Sequence, residues 1–114
     1  MKAFGFLSFG HYAVGGQRGP SAEKIAKIHL EIAQAADEIG VNNASFRVRR
    51  FVPQASAPMP LLGAVAATTK QIEVGTGVID MRYENPLYLA EEAASLYQLS
   101  GGRVALGAVS YTHL

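Results

Sequence analysis

Three arginines, Arg47, Arg49 and Arg50, crowd the end of a run that reads as a short strand, Ala44 to Val48. Guanidinium groups stay charged at neutral pH and offer a planar fork of donors. The cluster could therefore hold a phosphate or a carboxylate in bidentate fashion, but it could not serve as a general base. A solvated loop edge accounts for the same residues. Strand alternation would place Arg47 and Arg49 on one face, with Val48 and Arg50 on the other. Further on, the segment DMRYENP carries Asp80, Arg82 and Glu84 at alternate positions. Asp80 and Glu84 could work as a carboxylate pair, although nothing in the spacing sets their separation. An ion pair with Arg82, followed by a helix cap at Asn85, explains these residues without chemistry.

His11 follows the first apolar segment and could be an acid/base group, but a surface position is the commoner fate of a lone loop histidine. His29 stands beside Ile28 in a helical pattern and reads as structural. Gly75-Thr76-Gly77 lacks the third glycine and the following helix of a dinucleotide-binding loop. Its glycines instead suit close approach of another backbone or of a flat ligand to a strand end. No metal-ligand spacing and no Ser-His-Asp arrangement occurs, and the absence of cysteine excludes thiolate chemistry and disulfides.

These residues must be positioned by a succession of short elements. Ala3 to Ser8 reads as a first strand and Gly10 to Gly19 as a loop. A helix follows, capped by Ser21 and stopped by Gly40, with Ile25, Ile28, Ile32, Ala35 and Ile39 as its apolar stripe. Ala44 to Val48 is a second strand, Arg49 to Ala57 a loop, and Pro58 to about Thr69 a second helix with prolines tolerated at its start. Ile72 to Ile79 is a third strand rich in β-branched residues. Asp80 to Asn85 is a loop, and Asn85 caps a third helix whose first residue is Pro86 and whose stop is Gly101. Arg103 to Gly107 begins a fourth strand. The order βαβαβαβ, with every crossover long enough for a helix, predicts a parallel α/β protein with right-handed connections. It does not choose between an open sheet and a barrel. In either, ligands gather at the carboxyl ends of the strands, which turns attention to the loops 9–19, 49–57 and 80–85.

The 114 residues make one domain at most, and a hydrophobic content of 49% is enough for a packed core. A net charge of +1, with no basic stripe, disfavours recognition of nucleic acid by bulk electrostatics. The start, MKAFGFLSFG, has the superficial look of a signal peptide. Its apolar run is short and broken by Gly5, Ser8 and Gly10, so a buried strand is the better reading. With no long apolar run either, the expected compartment is the cytoplasm, with no membrane partner.

Three segments carry a resemblance: FGFLSFG at the first strand, PMPLLGAVAATTKQIEVGTGVIDM, and YENPLYLAEEAASLYQLSGGRVALG. The chain resembles the start of the luciferase-like flavin monooxygenases, a family of (β/α)8 TIM barrels, from the amino terminus to about Gly107. A whole barrel needs roughly 250 residues. The resemblance implies a partial barrel of about four strands and three helices, with reduced FMN lying across the carboxyl ends of the strands. It implies a reaction with dioxygen that oxygenates a small organic substrate, and a separate flavin reductase and a homodimer among the partners. A related branch of the family uses a deazaflavin and transfers hydride instead. Gly77-Val78 matches the strand end where the family often has a non-proline cis peptide beneath the flavin. Ser8 and Asn85 fall near the cofactor pocket.

There are departures from the family pattern. The usual His-His pair after the second strand is here Arg49-Arg50, which cannot be a base but could steady an anion or a phosphate. Tyr97 stands where many relatives have Asp. After the fourth strand, where relatives continue into an Arg-Gly that contacts the flavin phosphate, this chain reads Val109-Ser110-Tyr111-Thr112-His113-Leu114. That hexapeptide matches one frame of a sequencing-library adapter. The expectation is a monooxygenase-type segment over 1–108 and a non-native tail over 109–114. As written, such a chain would lack half its barrel and be inactive, and a non-catalytic half-barrel binding module is the rival reading.

Overall fold

Helix α1 (Ala22–Ile39) starts where Ser21 accepts the Lys24 amide on its hydroxyl at 3.2 Å. It ends at Gly40, whose φ of +90° lets its N–H turn back to the carbonyls of Ala36 and Asp37. The computed structural model describes residues 2–109, so of the expected tail only Val109 falls within the described residues. Before α1 lies β1 (Gly5–Ser8), and after it come β2 (Asn43–Phe46), α2 (Pro58–Thr68), β3 (Glu73–Thr76) and β4 (Ile79–Asp80). A single 3-10 turn, Met81–Tyr83, leads to α3 (Pro86–Leu99), β5 (Val104–Ala105) and β6 (Ala108–Val109). Both α2 and α3 open on proline, whose missing N–H would have been unpaired in the first turn anyway. Asn85 accepts the amides of Leu87 and Tyr88 at 3.0 and 3.2 Å, as its cap reading requires.

The strands pair in parallel in the order β1-β2-β3-β5, and β4 pairs in parallel with β6. The third strand read from the sequence is therefore broken in two, and beside that break the fourth pairs only at Val104–Ala105 and is followed by a separate short strand after Gly107. Ala44, Phe46 and Val74 turn one face of the sheet into the core, where they meet Ala33 of α1 and Leu62, Val65 and Ala66 of α2. Phe6 meets Phe46 edge to face, with ring centroids 6.0 Å apart.

Helix α1 does not bury the stripe its isoleucines predict. His29, Ala33 and Ala36 are its buried residues, whereas Ile32 and Ile39 remain 40% and 80% exposed. Small side chains at 33 and 36 let the helix approach the sheet closely, and this rotates the isoleucines to its flank.

Two side chains tie the helix ends to the sheet. Asp37 accepts the consecutive amides of Lys70, Gln71 and Ile72 at 2.8 to 2.9 Å, fixing the approach to β3. Burial works against ionisation of its carboxyl. The three amides and the charge of Arg103 outweigh that, and it titrates below its ordinary value. Arg103 reaches in the other direction. Its Nη1 donates to Thr69 Oγ1 and the Ile72 carbonyl, both at 2.9 Å, and its Nη2 donates to the Ala66 and Thr69 carbonyls at 3.0 and 3.3 Å. Its Nε donates to the Ser100 carbonyl at 2.6 Å. One guanidinium thus satisfies the carbonyl ends of α2 and α3. Arg103→Lys keeps the charge but loses the fork, and should cost about 2–3 kcal/mol and lower Tm by roughly 10–20 °C in a thermal melt.

His29 is 2% exposed, its ring centroid lies 5.0 Å from that of Phe46, and its Nε2 has no hydrogen-bond partner. Gly10, at φ +64°, comes so close that a Cβ there would collide with the ring. Burial holds the imidazole pKa below its ordinary value of 6.5. The folded state then binds fewer protons than the unfolded one. The contribution of the neutral ring is complete above pH 6.5 and is lost as the pH falls below it. Urea midpoints measured from pH 8 to 5 should fall across that window, and His29→Leu should remove this part of the slope.

Candidate active-site cleft

The chain leaves β2 at Phe46, earlier than the sequence predicts, so alternation does not extend to Arg50. Arg47, Val48, Arg49 and Arg50 instead line one cleft of about 420 Å³ together with Val78 and Glu84. It opens at the carboxyl ends of β2 and β4, where a parallel α/β fold collects its ligands. Phe51 turns the loop there with φ +67°, a left-handed conformation unusual for a bulky residue, and lays its ring edge-on to Tyr83 at 5.5 Å.

Its charges are largely paired. Arg50 places Nε and Nη2 on Glu84 Oε1 at 3.1 and 2.8 Å, joining the loop after β2 to the segment before α3. Arg82 forks onto Asp80, with Nη2 2.5 Å from Oδ2, as the ion-pair reading of DMRYENP anticipates. The Arg82 hydrogen bond is the main reason that the Asp80 carboxyl is held below its ordinary pKa, with partial burial opposing and Arg49 assisting. Asp80 and Glu84 are therefore partners of two different arginines, and not an acid/base pair. Arg47 lies over the Phe9 ring, 5.5 Å from its centroid. His11 stacks on Phe9 and sits with its Nε2 2.8 Å from Gln54 Nε2, apart from the cleft lining.

Of the residues singled out in the sequence, the structure brings Arg49, Arg50 and Val78 to the cleft wall. Gly77 is just behind it. A Cβ at Gly77 would stand 3.0 Å from Leu7 Cδ1 and 3.8 Å from Arg47 Cα, so the absent side chain is what lets Leu7 pack against this backbone. Ser8 contributes its carbonyl, which accepts the Arg47 amide at 2.8 Å. The Asn85 side chain is spent on the α3 cap. The cis peptide suggested for Gly77-Val78 is absent, because no peptide bond among the described residues is cis. Among the described residues no group of acidic, His or Cys side chains could hold a metal ion. None of their helices is long and apolar enough to cross a membrane.

Thr76, a residue whose β-branching signalled only strand, holds the bed of the cleft together. Where the β3-β5 ladder gives way to β4-β6, its hydroxyl accepts the Gly107 amide at 3.1 Å and donates to the Gly107 carbonyl at 3.2 Å. Gly107 in turn lies so near Gly77 that a Cβ on it would be 2.5 Å from the Gly77 carbonyl oxygen, and Gly75 likewise faces the Ala105 carbonyl. The glycines serve backbone approach, as read from the sequence. Glu84 as the anchor of Arg50 was also missed, because its partner is 34 residues away.

The chain belongs to the luciferase-like monooxygenase family, which it matches over residues 3–112. It is 31% identical over 111 residues to limonene 1,2-monooxygenase of Rhodococcus erythropolis, covering 92% of this chain and 28% of that protein. It is 32% identical over 108 residues to an F420-dependent glucose-6-phosphate dehydrogenase of Amycolatopsis mediterranei, covering 89% of this chain and 30% of that one. In structure it is similar to the oxygenating constituent of 3,6-diketocamphane monooxygenase from Pseudomonas putida, solved with FMN. The TM-score is 0.82 at 23% identity, over 99% of this chain and 31% of that one. The four parallel strands and three helices are the opening units of a (β/α)8 barrel of this family, and the chain spans about three-tenths of the length of these relatives.

Thr76→Val keeps the volume and the β-branching while leaving the Gly107 amide unpaired, its carbonyl keeping the Ile79 amide at 2.8 Å. It should cost about 1–3 kcal/mol in urea unfolding, whereas Thr76→Ser should stay within about 1 kcal/mol of the parent.

Proposed function

We propose that the whole protein is a flavin-dependent monooxygenase that binds reduced FMN across the carboxyl ends of its strands and oxygenates a small organic substrate with dioxygen. The observation that carries this reading is the cleft at the carboxyl ends of β2 and β4, walled by Val48, Val78 and Ile79 beside the closely packed backbones of Gly77 and Gly107. A flat apolar ring fits such a bed, and the adjoining guanidinium groups suit its polar edge. When bound, the reduced flavin supplies the electrons for dioxygen activation, and a separate reductase would deliver it.

The residues of this chain bind, orient and shield. Thr76 and Gly107 fix the bed, the valines and Ile79 keep water from it, and Arg47 and Arg49 set a positive potential that favours an anionic ring. Arg49 and Arg50, at the positions of the family's histidine pair, stay charged and take no proton, so their role is electrostatic. Arg50 is held in place by Glu84.

A deazaflavin hydride-transfer enzyme is the second reading, favoured by the F420-dependent relative. Absorbance titrations of the full-length gene product with FMN and with F420, followed by oxygen uptake, separate the two. FMN should bind at least about tenfold more tightly and its reduced form should drive oxygen consumption. The reverse preference without oxygen uptake would establish the deazaflavin reading, and binding of neither would leave a non-catalytic barrel. Gly77→Val should raise the FMN Kd by about tenfold or more, because the added bulk stands beside the proposed ring site and must displace the tip of Leu7.

A further inference from the structure

We infer that the Arg47–Arg49 wall of the cleft is a subsite for the carboxylate of a substrate whose remaining body is apolar. The inference rests on the reading of the cleft as the site of the flavin reaction and adds the chemical class of what is oxygenated there.

Charge accounting within the cleft carries it. Four guanidinium groups, of Arg47, Arg49, Arg50 and Arg82, face two carboxylates. Glu84 is taken by Arg50 and Asp80 by Arg82, each through more than one hydrogen bond. Neither Arg47 nor Arg49 forms an ion pair within the described residues. Arg47 is half-buried with its charge over the Phe9 ring, and the exposed Arg49 acts on Asp80 through its charge without forming an ion pair. Two cations without carboxylate partners, beside low-dielectric walls of Val48, Val52, Pro58, Val78 and Ile79, focus a positive field into about 420 Å³. A ligand that is anionic at one end and apolar elsewhere satisfies both halves of such a lining.

The position within the cleft points to the substrate and away from the cofactor's phosphate. The Arg47 Cα lies 3.8 Å from where a Cβ on Gly77 would stand, and so next to the bed proposed for the ring. A ribityl chain separates the phosphate of FMN from its ring, whereas a substrate must lie beside the ring to react.

The test uses the purified full-length gene product, with benzoate and octanoate as probes, each against its neutral primary amide, in calorimetric titrations at low salt. Each acid should bind at least about tenfold more tightly than its amide. The preference should weaken as salt rises, and Arg47→Gln combined with Arg49→Gln should abolish it. Arg49→Lys, which keeps charge without the fork, should retain part of it. If the double variant fails a thermal-melt check for folding, Arg49→Gln alone decides, and should at least halve the preference.

No acid preference in the parent protein overturns the inference, as does a preference that survives both substitutions. A loss confined to FMN relative to riboflavin, with the acid preference intact, also overturns it and assigns the arginines to the cofactor phosphate. FMN binding measured in the same samples keeps the two readings apart. Acid preference without FMN binding refutes the flavin reading, and FMN binding without acid preference refutes the carboxylate subsite alone.

Discussion

The guanidinium of Arg103 joins elements that are far apart in the chain, and the sheet geometry follows from where it sits. Helices α2 and α3 both end near the amino-terminal side of the sheet with carbonyl groups that have no helical partner, and Arg103 meets carbonyls from both while its own backbone leads into β5. Asp37 performs the complementary task, collecting the amide donors that lead into β3. A cation on carbonyls and an anion on amides, each bonded through charge-assisted contacts, place β3 between β2 and β5 before any apolar contact is counted.

With one end of the sheet pinned in this way, the other end can tolerate irregularity. The ladder breaks after Thr76, where two glycine backbones come too close for side chains and a hydroxyl replaces the backbone pairing. Beyond the break Ile79 and Asp80 form the separate short strand β4, paired with β6, and both residues line the cleft. Structural regularity has been given up at the place where a barrel of this family handles its ligand, a common location for departures from ideal local geometry.

The wall of the cleft carries permanent positive charge, and only part of that charge is answered by Glu84 and Asp80. Arginine cannot exchange a proton at neutral pH, so whatever these residues contribute must come through field and hydrogen-bond geometry.

Element types were legible because they rest on local physics. Ser21, Gly40 and Asn85 act on amides or carbonyls within a few residues, so their caps appear in the structure as their spacing predicts, and βαβ alternation forces parallel pairing. The GTG segment also showed that some backbone would come close, since only glycine leaves the room. What the spacing could not carry is whatever depends on partners distant in the chain. The burial of His29 in place of the isoleucine stripe depends on how far two alanines let α1 sink toward the sheet. The pairing of Arg50 with Glu84, the clamp of Arg103 and the two-sided hydroxyl of Thr76 each join residues more than 30 positions apart. A guanidinium, a carboxylate or a hydroxyl looks the same in sequence whether it faces water or a partner, and the folded arrangement alone brings the partner within hydrogen-bonding distance.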